Sequence, residues 1–312
     1  MTGVITLPPS PEVPTVYVIT EQTIDTKLHT LIEKGLGALR ADLCAVDTIL
    51  LGPTTSQRER EQIFEFLQDA YNARGAFVVG HASEFHGDAN THFDVVDQNC
   101  EILGEVGVIA RSPGELYAKA PRLTAATRAA DKTLPTETTE TLIFGAGPDA
   151  RALAAALSRH MTNAKPTKVT IASTDAASLN VARQRLTVDL PEERLEIHHL
   201  DQPAEYDRQL ALLPPKSAVV RALGPNEADL GAAGSATLFP DDAVIWDLLG
   251  AASKSRFLAA AVPQRKASRL TLSDARPYTT ERSIAILEAM FGKDASASDL
   301  AKLRKVVTQI DN

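Results

Sequence analysis

The sequence predicts an α/β fold made of two domains, and three observations support this. Short apolar runs alternate with helical patterns from Val16 to Ala110, and a cleaner alternation of the same kind starts at Thr141. Such alternation is typical of helices packed on a largely parallel sheet. Between the two halves, residues 131–140 contain Pro135 and four threonines, a composition typical of a linker.

Each element is predicted from its periodicity. In residues 25–39, for example, apolar side chains recur at the spacing of one helix face. In the first half we expect strands at 16–20, 48–51, 76–79 and 106–110, and helices at 25–39, 55–73, 93–103 and 123–130. In the second half we expect strands at 141–144, 168–172, 195–199, 218–222 and 243–248, and helices at 149–161, 178–186, 280–291 and 298–310. The second half therefore has the strand–helix alternation of a doubly wound sheet.

Composition limits the classes of function. The 312 residues carry a net charge of −8, which argues against a nucleic acid or an anionic membrane as the main partner. Cys44 and Cys100 cannot form a disulfide framework and lack metal-type spacing, so they fit a reducing cytoplasm. The sequence contains no run of about 18 apolar residues, so we expect no transmembrane helix. Residues 1–14 are Pro-rich and lack the basic and apolar regions of a signal peptide, so we expect a disordered leader on a cytoplasmic protein.

One glycine motif carries most of the functional signal. Gly145-Ala146-Gly147-Pro148-Asp149-Ala150 has the G-x-G-x-x-A spacing, directly after an apolar strand and directly before an Ala-rich helix. In this motif the first glycine allows a tight turn, the second lets the backbone approach a pyrophosphate, and the small third residue lets helix and strand pack closely. The N–H groups and dipole of the helix then favour the anion. We expect a dinucleotide here; the alternative is a strand–helix unit whose glycines merely make a turn.

The end of the next strand bears on the choice of dinucleotide. Asp175 follows Gly147 by 28 residues and is a candidate acceptor for a ribose hydroxyl, the usual NAD arrangement. The alternative is a surface carboxylate or a helix cap. Ser173 and Thr174 stand where a basic residue would bind the 2′-phosphate of NADP, although an arginine of the next helix could reach it. The sequence therefore favours NAD over NADP.

With the strands placed, the chain resembles the shikimate/quinate dehydrogenase family from about residue 16 to 292. Residues 145–151 resemble the family's G-A-G-G-x-x-R-A, with Arg151 at the arginine, and residues 274–292 resemble its closing helix. The resemblance implies a discontinuous α/β substrate domain at 15–130 and 272–312. It also implies a doubly wound Rossmann NAD(P)-binding domain at 131–271 and a ligand cleft between the two.

The substrate side departs from the family. Thr23-Ile24-Asp25 occupies the position of the family's Ser-x-Ser motif, which binds the shikimate carboxylate. An aspartate at this position would repel a carboxylate. His81 is retained, but Ala82 stands at the catalytic lysine and Arg122 at the catalytic aspartate. Arg282 stands at the substrate-binding glutamine. The usual proton acceptor is therefore missing, because Ala82 cannot take a proton and Arg122 stays protonated.

Two replacements are open. Histidine is the side chain best suited to act as a base near neutrality, which makes His81 the candidate catalytic residue; the alternative is a strand-end histidine bonded to the backbone. Arg122 and Arg282 are candidates for a basic pocket that binds a carboxylate or phosphate; the alternative is ordinary surface arginines. The His, Asp and Glu residues between 81 and 94 lack the tight spacing of a recognised metal site, so we expect no metal.

We therefore expect a shikimate dehydrogenase-like NAD(P)-dependent oxidoreductase that acts on a small polar hydroxylated molecule other than shikimate. Thr23, Asp25, Arg122 and Arg282 are the expected substrate-binding residues. The alternatives are a dinucleotide- or metabolite-binding protein without turnover, and a true shikimate or quinate dehydrogenase. The expected partner is a small molecule, and both a monomer and a homodimer stay open.

Overall fold

The computed structural model describes residues 5–21, 26–38, 44–112, 114–188, 192–224, 238–249, 255–291 and 296–311. It divides the chain into two compact units. Unit 1 comprises the described residues up to Arg122 and from Arg282 onwards, and unit 2 comprises those from Leu123 to Glu281. No helix in these ranges is both long and apolar enough to cross a membrane.

Unit 1 is built on a mixed six-stranded sheet in the order β2-β1-β3-β5-β6-β4. Its strands are β1 Thr15–Thr20, β2 Ala45–Leu50, β3 Ala73–Val78, β4 Val95–Val96, β5 Val108–Ser112 and β6 Glu115–Lys119. Its helices are α1 Thr26–Ala38, α2 Gln57–Asp69, α3 Ala82–Gly87, α4 Ala89–His92, α5 Gln98–Leu103 and, after unit 2, α12 Ala297–Asp311. The first three strands are parallel, whereas β5 runs antiparallel to both β3 and β6.

Two long helices are divided between the units. Helix α6 Pro121–Thr133 has its first two residues in unit 1, and helix α11 Arg276–Phe291 has its last ten there. The unit 1 part of α11 packs with α1 and α12 on one face of the sheet, where Ile32, Leu287 and Leu303 are buried together. Burial of such an apolar layer is the main force that holds these helices on the sheet.

Unit 2 has the strand order of a doubly wound fold. Its strands are β7 Glu140–Phe144, β8 Lys168–Ser173, β9 Leu195–His199, β10 Ala218–Arg221, β11 Val244–Asp247 and β12 Thr271–Ser273, and its other helices are α7 Pro148–Ser158, α8 Ala176–Leu186, α9 Pro203–Ala211 and α10 Arg256–Ala261. All neighbours are parallel, in the order β9-β8-β7-β10-β11-β12. This is the 3-2-1-4-5-6 order of a Rossmann sheet, so the predicted α/β fold class is confirmed.

Two predicted helices of unit 1 are wrong in extent. The helix expected at 93–103 is only α5, because the segment before it pairs with β6: the Asp94 N–H donates to the Leu116 carbonyl and the Asp94 carboxylate accepts from the Leu116 N–H. The helix expected at 55–73 ends at Asp69. Arg111 ends it by donating to the carbonyl oxygens of Gln68 and Ala70, and β3 begins at Ala73.

Candidate functional site

The glycine turn, residues 145–150, joins β7 to α7 at the carboxyl edge of the unit 2 sheet. Gly145 has a φ of 116°, a conformation that residues with a side chain rarely adopt. A Cβ atom on Gly147 would lie 3.0 Å from the Cα atom of Gly224, which follows β10. Strand β10 pairs with β7, so this is where the strand order reverses and where doubly wound folds bind their ligands.

The start of α7 is packed tightly on the strand below it. Ala146 and Ala150 are fully buried, as a close approach of helix and strand requires. Arg151 donates from its guanidinium to the Ala146 carbonyl at 3.1 Å and so helps to close the turn. The backbone shape therefore fits the pyrophosphate cradle that the motif predicts.

The chemistry of the helix start is less typical of an anion site. Pro148 is the first residue of α7 and has no N–H to donate. Asp149 is the second, and its carboxylate accepts a hydrogen bond of 2.8 Å from the hydroxyl of Tyr278. The glycine turn therefore keeps the shape of a phosphate site, but the helix that follows it begins with one N–H donor fewer, and the carboxylate of its second residue is bonded to Tyr278.

The predicted ribose-binding residues lie at the carboxyl end of β8, beside β7. Asp175 caps α8 by accepting from the N–H of Ala177 at 2.9 Å and from the Ser178 hydroxyl at 2.7 Å. The hydrogen bonds from Ser178 hold the pKa of Asp175 below its usual value. Ser173 is buried, and its hydroxyl accepts from the Asp175 N–H at 3.0 Å. The capping alternative is therefore present in the structure, and ribose binding by Asp175 stays a prediction.

A buried ion pair at this same edge is absent from the sequence predictions. Arg221 ends β10 and donates to the Asp247 carboxylate at 3.0 Å, while Asp247 ends β11 and is fully buried. Asp247 also accepts from the hydroxyl of Ser255 and from the Leu249 N–H. The signal available in the sequence was a charged residue at the end of each of two neighbouring apolar strands.

In unit 1, His81 lies at the carboxyl ends of the three parallel strands. Its backbone is left-handed with a φ of 58°, and its side chain is 3% exposed. Atom Nε2 lies 2.9 Å from the Gly52 carbonyl oxygen, and carboxylate oxygens of Glu21 and Glu84 lie 3.5 Å from Nε2 and Nδ1. Burial raises the pKa of Glu84, but hydrogen bonds, first among them that from Ser83, outweigh burial and leave it lowered. His81 is thus bonded to the backbone, and its role as a base stays a prediction.

Arg122 is paired with a buried carboxylate that the sequence did not single out. Its guanidinium donates to Oε2 of Glu105, whose side chain is 5% exposed. The other oxygen of Glu105, Oε1, is buried with no hydrogen-bond partner. The next residue, Val106, donates its N–H to the carbonyl of Ala82 at 2.8 Å. The fold therefore brings together the segments that carry Ala82, Glu105 and Arg122.

The remaining predicted substrate-binding residues are Thr23, Asp25 and Arg282. Thr23 and Asp25 lie outside the described residues. Arg282 lies on α11 and is half-buried. The preceding residue, Glu281, is fully buried and pairs with Lys132. Within the described ranges no group of His, Cys, Asp and Glu side chains could hold a metal ion.

Comparisons with solved structures identify the fold. A shikimate 5-dehydrogenase from Listeria monocytogenes, in complex with shikimate and NAD, superposes with a TM-score of 0.70 at 14% identity over 97% of this chain and 99% of its own. A quinate dehydrogenase from Corynebacterium glutamicum, in complex with NAD, gives 0.69 at 16% identity over 93% and 97%. A 5-ketofructose reductase from Gluconobacter sp. strain CHM43 gives 0.63 at 16% over 94% and 98%.

No protein-family model matches the sequence, and no curated protein matches it. At 14–16% identity the structural likeness defines the fold. The chain has the fold of the shikimate and quinate dehydrogenases over nearly its whole length, as the sequence resemblance predicted.

Proposed function

We propose that this chain is an NAD(P)-dependent oxidoreductase that acts on the hydroxyl or carbonyl group of a small polar molecule. The observation that carries the proposal is the glycine turn, which meets the loop of Gly224 at the switch point of a Rossmann sheet. The dehydrogenases and the reductase of the same fold support this class of reaction.

Residues of unit 2 would hold the cofactor. The backbone of the glycine turn would approach the pyrophosphate, and Ser173, Thr174 and Asp175 would face the adenosine ribose. The carboxylate of Asp175 accepts a ribose hydroxyl more readily than it tolerates a 2′-phosphate, which favours NAD over NADP. When bound, the nicotinamide supplies the hydride acceptor or donor.

The small molecule would bind at the carboxyl edge of the unit 1 sheet. Oxidation of a hydroxyl group needs a side chain that takes its proton, and reduction of a carbonyl needs one that returns it. His81 and Glu105 are the titratable candidates near Ala82, and Arg122 would act by stabilising negative charge on oxygen, since it does not release its proton.

A second candidate function is binding without turnover. It is favoured by the pairing of Arg122 with buried Glu105, next to an alanine at the family's lysine position. The arginine is then neutralised by its neighbour, and Ala82 itself cannot accept a proton. Such a protein would act through the conformation that the dinucleotide or metabolite stabilises.

One pair of assays separates the two. The purified chain is titrated with NADH and NADPH, and then incubated with NAD⁺ or NADP⁺ and a panel of polyols and hydroxy acids while the near-ultraviolet absorbance of reduced nicotinamide is recorded. Binding with turnover supports the oxidoreductase, and binding without turnover supports the second candidate. Binding of neither dinucleotide contradicts both. Turnover of shikimate would show that the assignment of Ala82 to the lysine position is wrong.

A further inference from the structure

A histidine at the end of β9 lies next to the residues that would face the adenosine ribose. Strands β8 and β9 are parallel, and Ser173 is aligned with His199 where both strands end. Thr174 and Asp175 follow β8 directly. The ring atom Nε2 of His199 lies 3.2 Å from the carbonyl oxygen of Thr174. The ring therefore lies within hydrogen-bond distance of the segment that the proposed function assigns to the ribose.

The ring of His199 lies between two oxygen atoms that can only accept hydrogen bonds. Nε2 faces the Thr174 carbonyl, and Nδ1 lies 3.0 Å from a carboxylate oxygen of Asp201. A neutral imidazole has one N–H group and can donate to one of these oxygens, whereas an imidazolium donates to both. The side chains of His199 and Asp201 are 39% and 73% exposed, so a ligand can reach both from solvent.

The charged side chains of the described elements that meet at this ring are mainly carboxylates. Asp201 contacts the ring directly, and Oε2 of Glu205 accepts from the Asp201 N–H at 2.6 Å. Asp175 caps α8 with its carboxylate. From the same helix, the guanidinium of Arg183 donates to the carbonyl of Ile197 at 3.4 Å. Protonation of the ring would therefore reduce a local excess of negative charge.

We infer that His199 determines whether the site accepts a phosphate group on the adenosine ribose: the protonated ring favours the 2′-phosphate of NADP, and the neutral ring disfavours it. This rests on the proposed function, because it concerns the adenosine end of the same dinucleotide. Histidine is the side chain that gains a positive charge as pH falls through the physiological range. The imidazolium offsets the charge of the phosphate, and its Nδ1–H can pass from the exposed Asp201 carboxylate to a phosphate oxygen. NADP should therefore gain affinity relative to NAD as pH falls.

The test measures the affinities of NAD⁺ and NADP⁺, which differ only in the 2′-phosphate, by isothermal titration calorimetry of the full chain at about pH 8.5 and about pH 6. In His199→Gln, glutamine keeps an N–H donor for the Thr174 carbonyl and cannot gain a charge. The matched control is His198→Gln, because His198 is 41% exposed and paired with Glu196 at 3.0 Å but points to the opposite face of β9. Thermal melts verify that each form is folded, and Asp201→Asn is a second variant that removes the competing carboxylate.

We expect the ratio of NADP⁺ to NAD⁺ affinity to rise, between the two pH values, about fivefold more in the natural chain than in His199→Gln. This is the effect of one unit charge at about 4 Å in water. A phosphate monoester itself titrates near about pH 6, but it does so with every form, so the comparison between forms isolates the histidine. His198→Gln should behave like the natural chain. Asp201→Asn should raise NADP⁺ affinity at least about twofold at both pH values and change NAD⁺ affinity less.

An equal rise of the affinity ratio in the natural chain and in folded His199→Gln would overturn the inference. Binding of NAD⁺ without binding of NADP⁺ at either pH would overturn it as well. Both results leave the proposed function intact, because a nicotinamide dinucleotide still binds. Failure of every form to bind either dinucleotide would overturn the inference and the proposed function together.

Discussion

The pairing of Glu105 with Arg122 can be tested by a double-mutant cycle. Breaking a buried ion pair by removing one partner costs about 3–5 kcal/mol, because the other charge stays buried without compensation. The side chain of Arg122 is 19% exposed and that of Glu105 is 5% exposed. We therefore expect Glu105→Gln to lower the free energy of unfolding by about 3 kcal/mol. Arg122→Met should lower it by about 4 kcal/mol, because it leaves the more deeply buried charge, that of Glu105, without a partner.

The double variant removes both charges and should cost about 4 kcal/mol, well below the sum of the two single changes. The resulting coupling of about 3 kcal/mol is measured from urea unfolding followed by far-ultraviolet circular dichroism. The control is the more exposed pair Arg304 and Glu288 of the same unit, with side chains 39% and 14% exposed, where the coupling should stay below about 1 kcal/mol. A coupling below about 0.5 kcal/mol for Glu105 and Arg122 would refute the pairing and return Arg122 to the role of an anion-binding residue.

Two other predictions concern unit 2. Gly147→Ala should weaken NADH binding at least about tenfold without loss of helical circular dichroism, because the new Cβ would press on the backbone of Gly224 at 3.0 Å. Undiminished NADH binding would contradict the binding of the pyrophosphate at the glycine turn. The pKa of Asp175 is lowered by its hydrogen bonds from Ser178, so its carboxylate stabilises the fold above its unfolded pKa, and this contribution is lost as pH falls through the folded pKa. The urea midpoints of the natural chain and of Asp175→Asn should therefore differ at pH 6 and converge in strong acid. A difference between the two midpoints that does not change with pH would contradict stabilisation of α8 by the ionised carboxylate of Asp175.

Local patterns in the sequence predicted the elements that have their own periodicity. Strand β9 was predicted with the bounds that it has in the structure, because its apolar and polar residues alternate at the period of a strand. Strands β7 and β8 were predicted to within one residue, because each is a short, largely apolar run between turns. Strand β12 was missed, since Thr271–Ser273 has only three residues and becomes a strand by pairing with β11. Strand β4 was mistaken for helix for the same reason, because its pairing with β6 is a tertiary contact.

The candidate site was predictable to the extent that backbone conformation defines it. The glycines at 145 and 147 are required by a turn that sequence spacing alone reveals. Glu105 was missed because nothing in its own neighbourhood marks it; only the fold brings it to Arg122, 17 positions later in the chain. Tyr278 was missed for the same reason, since its partner Asp149 is 129 positions away.

We propose that unit 2 binds a nicotinamide dinucleotide at the glycine turn. Trp246, the only tryptophan of the chain, lies fully buried on β11 of the same unit, and its emission overlaps the absorbance of reduced nicotinamide. Titration with NADH should therefore quench the Trp246 emission and raise that of NADH in a saturable way, and Gly147→Ala should move both changes to NADH concentrations at least about tenfold higher. Saturable energy transfer that Gly147→Ala leaves unchanged, or no energy transfer at all from the natural chain, would contradict the claim.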